Sequence, residues 1–544
     1  MIRRWTPLIV LLLSLAYVMI GLSLALNHYD EGLVDVGGEQ VLAGHLPYRD
    51  FWTFYAPGQF YLTAAAFKLL GVSVITGRLL AVMTQGALLL VVFLVARLLA
   101  GETAAWVAWV LALLARFWAP MPLALNTVML LDAASLGCFL LFLRQGGRPP
   151  APRLRWASWL VPAGALAGLA ILFRQDLGLY VALAEGLTLI VYLRRERKSG
   201  WLLGVLVGAL LAVVLPVAGY FIAHVAWRDL VYDFYTYPLK VYVPGSAAAF
   251  QTALGPSAWA GLLDPRRAWE ALPSVWPFYF ARLVLLATLA GLISLARQRP
   301  REDWQFWGLG VIWMTGLLFF NYLRSRPDSW HLWPLALLAA VMFGAGVARL
   351  WDYRGKRRGA RGVGLALAGL AAAGLVVPQV LTVRQGINYS RSVPASAEFA
   401  LPRARGILMA PEERGYQAAL AWVLSNVPPE ESLFVAHYRN DLMDTTDVMF
   451  YFLAQRPLAT RYPLMSQGVT TTAEVQQEII GELEARHTRY VGLDYGKGSP
   501  PVGAEVTRPG ARLLDNYLAE HFRTERVFQS GGLFQAYAML VRKD

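Results

Sequence analysis

Thr6 to Leu26 is a run of 21 residues without a charge, and that absence constrains the chain more than any other feature. At 1.5 Å rise per residue such a run is long enough for a helix to cross a hydrocarbon core of about 30 Å. Ten further apolar runs follow, near 77–99, 103–118, 123–143, 156–173, 177–193, 200–222, 276–296, 304–323, 331–350 and 363–383. Charged residues make up 16% of the chain and hydrophobic ones 57%, against roughly 25% charged in soluble proteins. The expectation is a polytopic α-helical membrane protein of about eleven transmembrane helices. Arg3 and Arg4 ahead of the first run are similar to the n-region of a signal peptide. The run is long for an h-region and many spans follow it, so it reads as an uncleaved anchor.

Lys and Arg then recur in alternate loops: Arg144, Arg148, Arg153 and Arg155; Arg194, Arg195, Arg197 and Lys198; Arg297, Arg299 and Arg301; Arg354, Lys356, Arg357, Arg358 and Arg361. Cytoplasmic loops carry such an excess, which puts the N-terminus in the cytoplasm. The same loops account for the net charge of +13, so no nucleic acid partner is needed to explain it. Cys138 is the single cysteine and sits in an apolar run, leaving no disulfide or redox pair. The seven histidines occur singly, without HExxH spacing, which argues against an imidazole-built metal site. The Gly- and Ala-rich stretch from Gly362 to Gly374 lacks GxGxxG spacing and reads as close helix packing.

An odd number of spans places the C-terminus outside. Residues 1–383 read as a transmembrane domain and 384–544 as an extracytoplasmic α/β domain, because charges become frequent after Val383. Amphipathic patterns at Tyr416–Asn426, Thr472–Arg486 and Ala511–Phe522 predict helices, with β-type runs at 432–436, 489–494 and 534–542. A second outer loop, 223–273, is aromatic and Pro-interrupted, suited to a flexible, partly helical cover. The first outer loop, 27–76, is too long for a plain connector. It predicts helices at Glu31–Ala43 and Pro57–Leu70, whose apolar faces, with Phe60, Tyr61, Phe67 and Leu70 on the second, suit the membrane surface.

The order "DEG", "LAGHLPYRDF", "YAPGQFYLTAAAFKLLG" and "R" in that loop closely resembles the first outer loop of GT-C fold glycosyltransferases of the protein O-mannosyltransferase and lipid A aminoarabinose transferase group. The likeness is strong over residues 1 to about 100, and span number and polarity extend it to about 383. Pro57 is followed here by Gly58, where many relatives have a second proline. The resemblance implies transfer of a sugar from a polyprenyl phosphate carrier to a glycan, lipid or protein acceptor at the outer membrane face, with membrane lipids as surroundings. It also implies a carboxylate of this loop as catalytic base, here Asp30 with Glu31 beside it.

The chemistry asks for these groups. An acceptor hydroxyl needs a carboxylate within hydrogen-bond reach to attack the anomeric carbon, and one displacement inverts that centre. The departing lipid phosphate is anionic and calls for cations, best the planar fork of Arg. Arg174 with Asp176, and Arg324 and Arg326 with Asp328 and His331, are the candidates. Arg174, Arg326 and His331 are assigned to the donor phosphate, with Asp176, Asp328 and Tyr55 in support. No cofactor or metal is required, although a carboxylate-rich site leaves room for a divalent ion. Each assignment competes with a plainer one. Asp30 could cap its helix, Arg174 could only neutralise Asp176, the other arginines could snorkel to headgroups, and His331 could cap its span. Glu31, Asp35 and Asp50 could be solvated loop acids, and Tyr48, Trp52 and Tyr55 could be interfacial anchors rather than sugar-stacking rings. A transporter or lipid flippase is the main competing class, but no internal repeat supports it; a non-catalytic scaffold is the other.

Overall fold

The computed structural model describes residues 2–115, 119–146, 157–242, 264, 281–293, 295–296, 304–325, 329–352, 369, 398–442, 446–496, 510–531 and 534–543. The first apolar run yields α1 (Ile2–Met19), which stops short of Leu26. The reason lies in a later residue. Arg78, fully buried, donates to the carbonyls of Leu22 (2.8 Å), Leu24 and Ala25 (2.9 Å), supplying donors that a continued helix would have provided.

The chain then forms α2 (Asp30–Leu42) and α3 (Gly58–Leu70) before entering α4 (Val74–Leu114). α4 is two spans. Gly101 has φ 86°, a conformation in which a Cβ would be strained, and the rings of Phe93 and Trp106 meet at 5.1 Å, where a straight helix would hold them about 20 Å apart. The chain therefore doubles back there, as the separate runs 77–99 and 103–118 predict. α5 (Ala124–Gly146), α6 (Leu160–Phe173), α7 (Gln175–Arg195), α8 (Trp201–His224), α10 (Ala281–Ile293), α11 (Trp304–Ser325) and α12 (Ser329–Asp352) continue the bundle. The short α9 (Trp227–Val231) and a π-helical stretch, Tyr232–Tyr242, give the second outer loop the partly helical start expected of it.

Six described helices are long and apolar enough to cross a membrane, and α1, α6 and α10 are shorter apolar helices. With α4 counted as two, ten of the expected spans fall on these helices. The expected span 363–383 and the boundary at 383/384 lie outside the described residues. The bundle core joins Val10 of α1, Phe93 of α4, Phe139 of α5, Val181 of α7, Phe319 of α11 and Leu335 of α12. α8 lies at the margin, with only Leu202, Leu206 and Phe221 buried.

The C-terminal part holds α13 (Arg414–Asn426), β1 (Leu433–His437), α14 (Val448–Ala454), α15 (Ala473–Ala485), β2 (Tyr490–Gly496), α16 (Leu513–His521), β3 (Phe522–Gln529) and β4 (Phe534–Arg542). Its sheet has the order β1-β2-β4-β3, with β1 and β2 parallel and the other pairs antiparallel. The expected strands and helices are present. β3 and α14 are additions: β3 is a mostly exposed edge strand carrying Arg523, Glu525 and Arg526, so its buried-face alternation is missing.

Residues 27–76, expected as a first outer loop, pack against the C-terminal part. Leu26, Leu33, Val36, Trp52 and Phe67 belong to one buried cluster with Phe434 of β1 and Met449 and Phe450 of α14. α2 is buried along Glu31–Gly38. On α3 the expected apolar face divides, with Phe60 and Phe67 inside and Tyr61 and Leu70 exposed. The C-terminal part covers what would otherwise be surface. Arg403 grips Glu39 through two bonds of 2.9 and 2.6 Å, and the Trp52 backbone N–H donates to the Arg461 carbonyl at 2.7 Å.

Glu31 closes the arrangement around Arg78, accepting from its Nε at 2.7 Å and from a terminal nitrogen at 2.9 Å, with both side chains fully buried. Removing one partner of such a pair strands the other charge. Glu31→Gln is expected to cost about 3–5 kcal/mol, read as a lowered unfolding midpoint of the detergent-purified chain. A parental midpoint would contradict this structural role.

Candidate active site

α2 begins at Asp30 because Asn27 prepares its end. The Asn27 Oδ1 accepts from the backbone N–H of Tyr29 (3.1 Å) and Asp30 (2.7 Å), while the Asn27 N–H donates to Glu31 Oε2 at 3.2 Å. This reciprocal bonding is a capping arrangement, and it gives the capping function to Asn27 rather than to the Asp30 carboxylate.

Asp30 lines a cavity of about 160 Å³ together with Tyr55, Gln59, Arg174, Tyr322 and His331. Leu33 and Val34 of α2 and Leu123–Leu125 before and within α5 provide its apolar wall. The polar residues come from five places in the chain. Arg174 is the single residue between α6 and α7, in extended conformation, so the turn aims it from the mouth of both helices. Tyr322 ends α11 and His331 begins α12.

Tyr322 brings Arg174 and His331 together. The Arg174 guanidinium lies 4.7 Å from the Tyr322 ring centroid, and the His331 ring lies 4.7 Å from the same ring. Arg174 Nε also donates to Asp176 Oδ1 at 3.0 Å, and Asp176 accepts from the Leu177 N–H at 2.9 Å. Asp176 therefore orients Arg174. The pairing anticipated as an alternative to function is present, and it coexists with Arg174 lining the cavity.

Several expected residues stand elsewhere. Glu31 is buried against Arg78 and is not among the residues lining the cavity. Arg326 and Asp328 lie outside the described residues. Asp35 is fully buried rather than solvated; burial, reinforced by Glu31, pushes its carboxyl well above the usual range. Asp50 pairs with Arg49 at 2.8 Å and accepts from the Leu46 N–H at 2.7 Å. Of the three aromatic candidates, Tyr55 lines the cavity and stacks on Phe54 at 4.4 Å. Tyr48 is buried and donates to the Tyr55 carbonyl at 2.8 Å. Trp52 is buried and donates to Asp233 at 2.9 Å; burial pushes that carboxyl up to about 7 despite the bond.

Sequence reasoning missed Tyr322 and Gln59. Gln59 accepts from Thr127 at 2.8 Å, which ties α3 to α5 beneath the cavity. The signal for Tyr322 was its place at the end of a span next to the Arg-rich turn, a place it shares with many interfacial tyrosines. Among the described residues no group of three or more His, Cys, Asp or Glu is arranged to hold a metal ion.

No family model matches the chain, and no curated protein does. Solved structures do. ArnT from Cupriavidus metallidurans in the apo state aligns with a TM-score of 0.54 at 17% identity, covering 99% of this chain and 98% of that one. ArnT bound to undecaprenyl phosphate aligns with a TM-score of 0.51 at 17% identity, over 98% and 96%. The archaeal oligosaccharyltransferase AglB from Archaeoglobus fulgidus, in complex with an inhibitory peptide and a dolichol-phosphate, gives 0.51 at 14% identity over 90% of this chain and 70% of that one. A bundle of apolar helices with the segment after α1 folded against a small C-terminal sheet, matched over nearly the full length of ArnT, is the GT-C fold, and this chain is a polytopic membrane protein of that fold.

Proposed function

We propose that the chain is a glycosyltransferase that moves a sugar from a polyprenyl phosphate carrier to an acceptor at the outer face of the membrane. The observation that carries this reading is the cavity itself, which joins the carboxylate of Asp30 to Arg174 and His331. ArnT and AglB, which share the fold, have been solved with undecaprenyl phosphate and with dolichol-phosphate.

In the reaction the Asp30 carboxylate takes the proton of the acceptor hydroxyl as its oxygen attacks the anomeric carbon. The bond between that carbon and the phosphate oxygen breaks, and the electron pair leaves with the polyprenyl phosphate. Arg174 meets the departing charge with its planar fork, held in place by Asp176 and by the face of Tyr322. Arg326 and His331 are assigned to the same phosphate, with Asp328 in support. A single displacement inverts the sugar centre. Tyr55 presents a ring face to the sugar. Glu31 acts at one remove, by fixing the segment that carries Asp30.

The topology that this chemistry needs puts the N-terminus in the cytoplasm and residues 384–544, as a separate α/β domain, outside. Ser199 and Ala418 are both exposed. In a chain lacking Cys138, Ala418→Cys is expected to react with an impermeant thiol reagent in intact cells and Ser199→Cys to remain unlabelled. The reverse pattern would contradict an outward-facing site.

The activity itself is tested with purified protein and a labelled lipid-linked sugar, following release of polyprenyl phosphate, which neither a transporter nor a scaffold produces. Arg174→Lys keeps the charge and loses the fork, so the donor KM is expected to rise on the order of tenfold. An unchanged donor KM would return Arg174 to a purely structural pairing with Asp176.

A further inference from the structure

His28, two residues before Asp30, stands between two carboxylates of the C-terminal part. Its Nε2 is 3.4 Å from Glu413 Oε1 and its Nδ1 is 3.3 Å from Asp447 Oδ2, with the imidazole about nine-tenths buried. The ring meets Tyr416 of α13 edge-on at 4.6 Å. Its carbonyl accepts from the Met449 N–H of α14 at 2.9 Å. Asp447 is itself held, accepting from the Phe450 N–H at 3.0 Å as the cap of α14 and from the Tyr537 hydroxyl of β4 at 2.7 Å. One turn further along, Gly32 lies so close to α14 that a Cβ there would stand 2.3 Å from the Met449 nitrogen.

We propose that the C-terminal domain is a positioning device for the transfer reaction, and that His28, held as a cation between Glu413 and Asp447, is the positioning residue that fixes the start of α2 and with it the Asp30 carboxylate. The proposal rests on the reading of Asp30 given above. It assigns the C-terminal domain a task other than covering the cavity, since it grips the backbone on which the base is mounted.

The charges around His28 support a permanent cation at neutral pH. Glu413 faces it from the turn Pro411–Glu413 and Asp447 from the start of α14; the buried Asp494 of β2 stands near enough to feel both Asp447 and His28. Asp30 and Glu31 follow on its own segment, and the Tyr416 and Tyr537 hydroxyls face Asp447 from α13 and β4. Burial opposes the charge, but Asp447 and Glu413 outweigh it and raise the imidazole from 6.5 to about 10. A pKa raised on folding contributes stability that is complete below the unfolded value of 6.5 and is lost as pH rises through about 10.

The test uses the full chain in detergent. His28→Gln removes the cation, and His28→Lys restores a positive charge without the ring. Asp447→Asn retains an oxygen for the cap of α14 and sets an amide nitrogen, which can donate to the Tyr537 hydroxyl oxygen, in place of the second oxygen, while removing one of the two opposing charges. His28→Gln and Asp447→Asn are expected to lower kcat on the order of 10- to 100-fold, with the donor KM near parental. Amide hydrogen exchange in residues 27–34 should quicken at neutral pH. His28→Lys should recover part of both. The difference in melting temperature between parent and His28→Gln should be full near pH 6.5 and shrink as pH passes about 10. Parental kcat together with parental exchange in the first two variants would overturn the proposal, as would a melting difference independent of pH. If the parent chain transfers no sugar, the function reading fails, and exchange in residues 27–34 with its recovery in His28→Lys still decides the clamp. If His28→Gln does not fold, Asp447→Asn decides it alone.

Discussion

The buried ion pair between Arg78 and Glu31 is the interaction on which the arrangement of α1, α2 and α4 depends. Arg78 sits at the start of the first limb of α4 and Glu31 in the first turn of α2, and both are shut off from solvent. A buried pair of this kind adds little net stability against an apolar substitute, because desolvating the two ions offsets most of their attraction. Its value here is specificity of placement. The guanidinium also holds three carbonyls of the segment leaving α1, so one side chain joins the end of the first span, the beginning of the second and the helix that carries Asp30. Neither ion can leave without exposing the other to an apolar interior.

From that node the site follows in steps. Asn27 and Glu31 cap α2 reciprocally, which sets the position at which Asp30 enters the cavity. The C-terminal part then covers α2 along its buried face and, through Met449 and His28, holds its leading end. The wall that carries Arg174 is set independently, by the single extended residue between α6 and α7 and by the meeting of α11 and α12 at Tyr322 and His331. Asp30 and Arg174 thus stand on separate elements, and the bundle determines their separation.

Much of this was legible in the sequence. Uncharged runs gave the spans, and the break between 99 and 103 correctly separated the limbs of α4 because glycine marks the reversal. The loop helices and three of the four strands follow from their periodicity. Asp30, Tyr55, Arg174 and His331 line one cavity although their places in the chain are far apart. What stayed hidden depends on long-range partners. Glu31 looks like a second acid beside Asp30 until Arg78, 47 residues on, takes it up. Asp35 looks solvated until the fold closes over it. Phe67 and Leu70 of α3 are both apolar, and only the C-terminal cover tells the buried one from the exposed one. β3 has no buried face to alternate, so its pattern is silent.

The central claim is that Asp30 is a base rather than a helix cap, and one substitution addresses it. Because Asn27 supplies the cap, Asp30→Asn removes the carboxylate and leaves the start of α2 intact. In a single-turnover assay of sugar transfer, the account predicts a rate lower by about 10²–10⁴-fold, with the protein monodisperse and its melting temperature near parental. Transfer by Asp30→Asn at the parental rate would contradict it.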